Sequence, residues 1–331
     1  MAIERLDLGV FPTPLQHVTE LGDMAGLADL YLKRDDLTGF AWGGNKVRTV
    51  EFVLADALGL RADTLIVAGG PTSNFAALLA VAAASHRLPV TQVCYGRERG
   101  GAAALAVSIR AGASVEFTGS KDRSSVDAHA NALADKHRAE GLTPYVVPRG
   151  GATPIGACGF AAAAVELVVQ LDAAGLTEAT VVLPVGSGGS IAGLLAGLSE
   201  VGCGHRIGVV GVSVSRPTED IHPQIAARAI ACAGLIGATG PMPSWRLVDG
   251  RGTGYGDSSP EADDLTDRVL RNGALVLDPV YNAKALLWLA RHRGELDRPV
   301  VYWSTGGALA SADQLIITTA DVLFAGEEAC P

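Results

Sequence analysis

Short apolar runs alternate with amphipathic stretches from about residue 30 to residue 215, the pattern of β-α-β units laid around a parallel sheet. The runs predict strands at Thr64–Ala68, Val90–Tyr95, Ser114–Phe117, Pro144–Val147, Thr180–Val185, Ile207–Val214 and Val300–Ser304. Helical spacing predicts Asn74–His86, Ala102–Ala111, Ser125–Glu140, Ile155–Ala173 and Ser190–Glu200 between them. A further helix follows Asn45, where Val47, Val50, Val53, Leu54, Ala57 and Leu58 recur on one face, with Asn45 as N-cap and Gly59 as stop. Four such units between about 50 and 155 predict a small inserted α/β domain, 49–157, within a larger domain made of 1–48 and 158–331, with a cleft between the two. From about Pro217 to Ser259 the chain is expected to be irregular.

Composition narrows the class. A chain of 331 residues with only 5% aromatics builds its cores from small, closely approaching elements, and its 41 glycines allow unusual backbone angles in the loops. The net charge of −9 argues against a nucleic-acid surface, so any anionic ligand must be held locally. The cysteines Cys94, Cys158, Cys203, Cys232 and Cys330 show no paired spacing and join no histidine cluster, which predicts reduced thiols and no metal site. With no signal-like N-terminus and no apolar stretch of membrane-spanning length expected, the chain is taken as cytoplasmic, without a membrane partner.

Candidate chemistry begins at Gly43-Gly44-Asn45-Lys46, which puts a lysine in the first turn of a helix. The positive end of the helix dipole disfavours an ammonium there and lowers its pKa, as a nucleophilic, imine-forming lysine requires. The second element is Gly186-Ser187-Gly188-Gly189-Ser190, between a strand and a helix, where converging N–H groups and the helix dipole make a phosphate cradle. It lacks the third glycine of a dinucleotide fingerprint and the lysine of a Walker loop. Ser73-Asn74 opens another helix after a strand, with Ser73 at the N-cap, and Thr305 stands at the carboxyl end of the last strand, where open parallel sheets bind ligands.

Taken in order along the chain, these motifs resemble pyridoxal-phosphate enzymes of fold type II, the tryptophan-synthase-β-like group. The match is nearest the D-cysteine desulfhydrase and 1-aminocyclopropane-1-carboxylate deaminase family. Phe11-Pro12-Thr13-Pro14-Leu15, Leu32-Lys33-Arg34-Asp35-Asp36, Gly156-Ala157-Cys158-Gly159-Phe160, Gly254-Tyr255-Gly256 and Asp278-Pro279-Val280-Tyr281 extend the resemblance over most of the chain. It implies an α/β fold of two open, mostly parallel twisted sheets with flanking helices and pyridoxal 5'-phosphate in the cleft between domains. It also implies a homodimer and a small amino-acid substrate.

By the same resemblance Lys46 carries the cofactor, the Gly186, Ser187, Gly188, Gly189, Ser190 loop holds its phosphate, Asn74 meets the pyridine hydroxyl and Thr305 faces the pyridine nitrogen. Ser73 is placed near the substrate carboxylate, with Tyr255 and Tyr281 flanking the substrate. A phenol can protonate a departing group, and a neutral hydroxyl opposite the ring nitrogen suits elimination over transamination. The chain also departs from the family. Phe75 stands where His or Gln is usual, Thr72 replaces Gln, Asn282 replaces the Glu of deaminases, and Arg251-Gly252-Thr253 differs before Gly254. Phe75 is therefore expected to form an apolar wall of the substrate pocket. The resulting expectation is α,β-elimination on a D-cysteine-like amino acid to pyruvate, ammonia and sulfide. Its alternatives are ring opening of 1-aminocyclopropane-1-carboxylate and a specialised lyase or β-replacement reaction of secondary metabolism.

Overall fold

A computed structural model describes residues 3–97, 102–252, 254–273, 275–296 and 299–313. Thr253, Cys330 and the last part of the expected 158–331 domain lie outside the described residues. The chain runs β1 (Leu15–His17), α1 (Thr19–Ala25), β2 (Leu30–Arg34), α2 (Lys46–Gly59), β3 (Thr64–Gly69), α3 (Asn74–Ser85), β4 (Val90–Cys94), α4 (Ala103–Arg110), β5 (Ser114–Phe117) and α5 (Ser125–Ala139). It continues through β6 (Pro144–Val147), α6 (Pro154–Ala173), β7 (Ala179–Val185), α7 (Gly189–Glu200), β8 (Ile207–Ser213), α8 (Thr218–Ile236), β9 (Trp245–Asp249), α9 (Pro260–Gly273), α10 (Asn282–Arg291) and β10 (Val300–Ser304).

These strands form two sheets, one in the order β1-β2-β10-β7-β8-β9 and one in the order β5-β4-β3-β6. Only β1 runs antiparallel to its neighbour. Helices covering both faces explain why β3, β7 and β10 are buried along almost their whole length and read as unbroken apolar runs. The type II architecture expected from the sequence is thus present.

Local chemistry sets the helix starts. Ser73 caps α3, its hydroxyl accepting from the Ala76 amide at 3.2 Å, and Thr153 caps α6 in the same way at 3.0 Å from Gly156, with Pro154 in the first turn. Asn45 precedes α2 but makes no capping bond. Its side-chain amide instead donates to Ser190 Oγ at 3.0 Å, because Ser190 is brought against it by the large sheet.

Three helices approach one another main chain to main chain. A Cβ on Gly193 of α7 would stand 2.0 Å from the Ala157 carbonyl oxygen of α6, and one on Gly159 of α6 would stand 2.1 Å from that of Arg48 in α2. Only glycine permits either contact.

Two expectations are corrected. The stretch from Pro217 to Ser259 is not irregular throughout: it holds the 19-residue α8, with Pro223 inside it, and strand β9. The apolar α6 is, by length and composition, long enough to cross a membrane, contrary to the sequence reading. It packs on α2 and α7, and its buried residues belong to the core.

Candidate active site

Every predicted site element follows the carboxyl end of a parallel strand or opens a helix, and both sheets aim those ends at one cleft. Lys46, Ser73, Asn74, Phe75, Gly186, Ser187, Gly188, Gly189, Ser190, Tyr255, Tyr281 and Thr305 all border it. Residues from opposite ends of the chain are thereby brought together.

Lys46 is half-buried at the first position of α2. Desolvation, with a smaller push from the Arg228 charge, lowers its pKa from the usual 10.5 to about 8, and no carboxylate offsets this. Across the cleft Gly188 takes φ +81°, the left-handed turn that lets the loop curl into the N-terminus of α7. Gly189 and Ser190 open that helix, so their free N–H groups and the helix dipole face the cleft.

Asn74 has its Oδ1 buried with no hydrogen-bond partner, an acceptor without a donor. Thr305 is held by Asn282, whose Oδ1 accepts from the Thr305 amide at 3.1 Å and lies 3.3 Å from its hydroxyl. The same Asn282 donates to Asp278 at 2.5 Å and to the Gly306 carbonyl at 2.7 Å. Asp278 in turn accepts from the amides of Val280, Tyr281 and Asn282. Asn282, a departure from the family pattern, therefore ties the strand end carrying Thr305 to the turn carrying Tyr281.

Tyr281 and Tyr255 meet edge to face, with hydroxyls 3.2 Å apart. Burial, then the nearby Tyr255, raises the Tyr281 pKa well above 10, so it stays protonated and able to donate. The loop before Tyr255 is pinned by Lys284, which donates to the carbonyls of Arg251, at 2.9 Å, and Gly254. Phe75 borders the cleft but is only 2% exposed, and its ring lies in the core, where a Cβ on Gly151 would strike it at 2.5 Å.

Sequence reasoning missed four residues. Tyr95, Arg123, Arg149 and Arg216 also line the cleft, and Arg123 stacks on Tyr255 with its guanidinium carbon 3.7 Å from the ring centre. Each arginine lies shortly after a strand that the sequence did predict, β5, β6 or β8, and that position was the available signal.

Below the cleft lies a second charged group. Arg48 pairs with Asp35 at 2.8 Å and with Glu166 at 2.9 Å, Lys33 pairs with Glu166, and the Thr13 hydroxyl donates to Asp35 at 2.9 Å. Burial alone would raise Glu166, but Arg48 and Lys33 hold its carboxyl below the usual range.

The family model for pyridoxal-phosphate dependent enzymes matches residues 6–306. D-cysteine desulfhydrase of Salmonella typhi is 34% identical over 319 residues, covering 92% of this chain and 94% of that one. The crystal structure of an ACC deaminase homologue superposes with a TM-score of 0.86 at 33% identity, over 95% of this chain and 96% of the other. A fungal L-serine ammonia-lyase from Rhizomucor miehei superposes at 0.66 with 17% identity, over 95% and 99% of the two chains, which shows the shared fold. The site fits pyridoxal phosphate on its own terms. It offers a depressed lysine, a cradle of main-chain donors at a helix start and an unfilled buried acceptor on Asn74.

Proposed function

This chain belongs to the pyridoxal-phosphate-dependent enzyme family, and we propose that it is a lyase acting on a small amino acid with a leaving group at Cβ, D-cysteine being the type substrate. One observation carries the reading: a lysine amine lowered to about pKa 8 and the protonated phenol of Tyr281 share one cleft, a base at one wall and an acid at another. Lys46 would hold the cofactor's aldehyde carbon, the Gly186–Ser190 loop its phosphate, Asn74 its ring hydroxyl and Thr305 its ring nitrogen. When bound, the cofactor supplies electron withdrawal from Cα.

The chain's own groups do the rest. The Ser73 hydroxyl and the amino end of α3 bind the substrate carboxylate. Once the substrate amine has replaced it, the Lys46 amine takes the α-proton. Tyr281, with Tyr255 bonded to it, gives a proton to the group leaving Cβ. The products are pyruvate, ammonia and, from cysteine, sulfide. Ring opening of 1-aminocyclopropane-1-carboxylate is the second reading, favoured by the likeness to the ACC deaminase homologue. The engaged side chain of Asn282, where deaminases carry an acid, counts against it.

We place the enzyme in the cytoplasm as a homodimer, built of domains 1–48 with 158–331 and 49–157. Exposed Val169 on α6 and Ile230 on α8 offer apolar surface for a second copy. Turnover of D- and L-cysteine, serine and 1-aminocyclopropane-1-carboxylate, read as pyruvate against 2-oxobutyrate, tests the function. Pyruvate from cysteine is expected, and 2-oxobutyrate alone would replace it with ring opening.

A further inference from the structure

Among the described residues four cationic side chains, Lys46, Arg123, Arg149 and Arg216, line the cleft and no carboxylate does, in a chain whose net charge is −9. Asp127 reaches one of them, pairing with Arg149 at 2.7 Å. The Nε–H groups of Arg123 and Arg149 are nevertheless buried without an acceptor. Buried donors are seldom left so unless a ligand or water completes them. The Arg216 side chain donates to the neutral Gln224 amide oxygen at 3.3 Å, and burial, then repulsion from Arg149 and Arg123, outweighs the nearby Asp127 and Asp220 carboxylates and lowers its pKa. Asp127 and the Tyr255 ring meet only part of the cost of gathering these charges.

Two of the forks lie by the phosphate loop, where Arg149 and Arg216 line one wall with Ser187 and a Cβ on Gly150 would meet the Ser187 hydroxyl at 2.5 Å. The cofactor phosphate goes to the amides of the Gly186–Ser190 loop, and the substrate carboxylate to Ser73 and the start of α3. Arg123 sits elsewhere. A Cβ on Gly186 would meet the Tyr281 ring at 2.8 Å, the Tyr281 hydroxyl is 3.2 Å from that of Tyr255, and the Tyr255 ring carries Arg123 at 3.7 Å. Contacts thus run from the phosphate loop, through the two phenols that receive the leaving group, to a guanidinium. A one-atom leaving group such as hydrosulfide needs a proton, which a phenol gives. Guanidinium forks match a group with several oxygens.

We infer that the substrate carries an oxyanion leaving group on Cβ, a sulfonate or a phosphate ester, received by Arg123 together with Arg149 and Arg216. This rests on the lyase reading and narrows its substrate. In the step, the Cα–H bond breaks and its proton passes to Lys46. The Cβ–S or Cβ–O bond breaks, and its electron pair departs on sulfite or phosphate. Water then hydrolyses the resulting enamine to pyruvate and ammonia, with no oxidant or reductant consumed. The arginines act where negative charge develops on the departing group.

The test gives the holoenzyme D- and L-cysteate, O-phosphoserine, β-chloroalanine and cysteine. Either cysteate or O-phosphoserine is expected to exceed cysteine in kcat/KM at least tenfold, and which one does so distinguishes sulfonate from phosphate ester. Arg123→Gln should lower the ratio of that kcat/KM to the one for β-chloroalanine at least tenfold, with Arg123→Lys recovering part of it. 3-Sulfopropanoate lacks the amine and cannot turn over. If cysteate is the preferred substrate, it should compete in the wild type and bind at least tenfold more weakly to Arg123→Gln, measured by calorimetry, while cofactor absorbance persists. Three results overturn the inference and leave the lyase standing: oxyanion substrates no better than cysteine, an Arg123→Gln loss equal on all substrates, or loss of the cofactor from that variant. Turnover of none of them overturns both.

Discussion

Lys46 and Arg48 stand two residues apart at the start of α2, and the fold treats them in opposite ways. Arg48 turns into the protein, where Asp35 and Glu166 match it, Lys33 joins from the next layer and Thr13 completes the hydrogen bonds. Lys46 turns into the cleft, where the charged neighbours are arginines and Asp127, paired with Arg149, is the one carboxylate among the described residues found to pair with them. Each buried charge costs solvation, and only the inner group is fully compensated by the protein itself. Full pairing marks a group that holds the architecture together. A lack of pairing marks one kept ready for a ligand.

Breaking the outer member of the comparison should cost function and spare the fold. Lys46→Ala is expected to lower turnover by on the order of 10⁴, about 5 kcal/mol of barrier, with little change in melting temperature. Borohydride reduction and mass spectrometry of the wild type should find the cofactor on Lys46, and an adduct on another lysine would refute the assignment. Only the neutral amine attacks, so cofactor attachment to stripped protein should accelerate as pH rises through about 8 rather than 10.5. Breaking the inner member should do the reverse. Glu166→Ala strands Lys33, leaves Arg48 with Asp35 alone, and should cost about 3–5 kcal/mol in denaturant unfolding. A loss under about 1 kcal/mol would show that the inner pairs are ornamental.

The smallest expected effect sharpens the contrast between charge and main chain in the cleft. Gly188→Leu must force a φ of +81° on a branched residue and push against Ile225, 2.6 Å from the new Cβ. Cofactor affinity should fall at least tenfold, about 1.4 kcal/mol, measured in a Lys46→Ala background so that the covalent bond cannot mask it. Unchanged affinity there would make the loop an ordinary turn.

Much of this was legible in the chain because the governing signals are local. From Thr64 to Ser213 each strand and helix emerges at its predicted place, since buried parallel strands are unbroken apolar runs bounded by turns. Helix α8 was not legible, because Pro223 and the surrounding glycine- and proline-rich stretches speak for a loop while packing on α6 and α7 overrides them. The motifs from Lys46 to Thr305 announced a cofactor. The arginines did not announce themselves. Arg123, Arg149 and Arg216 belong to different β-α units, and only the convergence of strand ends from two sheets makes them one cluster. Phe75 borders the cleft where it was expected, but the packing of its ring against Gly151 is a contact from far along the chain that no local signal reveals.

The glycine contacts between α2, α6 and α7 carry a final consequence. Lys46 opens α2 and the phosphate cradle opens α7, and α6 lies between them with Gly159 against the Arg48 carbonyl and Ala157 against Gly193. The span from the anchoring amine to the cradle is therefore gauged by peptide backbone, which cannot change rotamer or yield as side chains do. The protein carries its own calliper, set to the length of one molecule. A methyl group at Gly159 or Gly193, which in an exposed helix would raise stability, here opens the jaws.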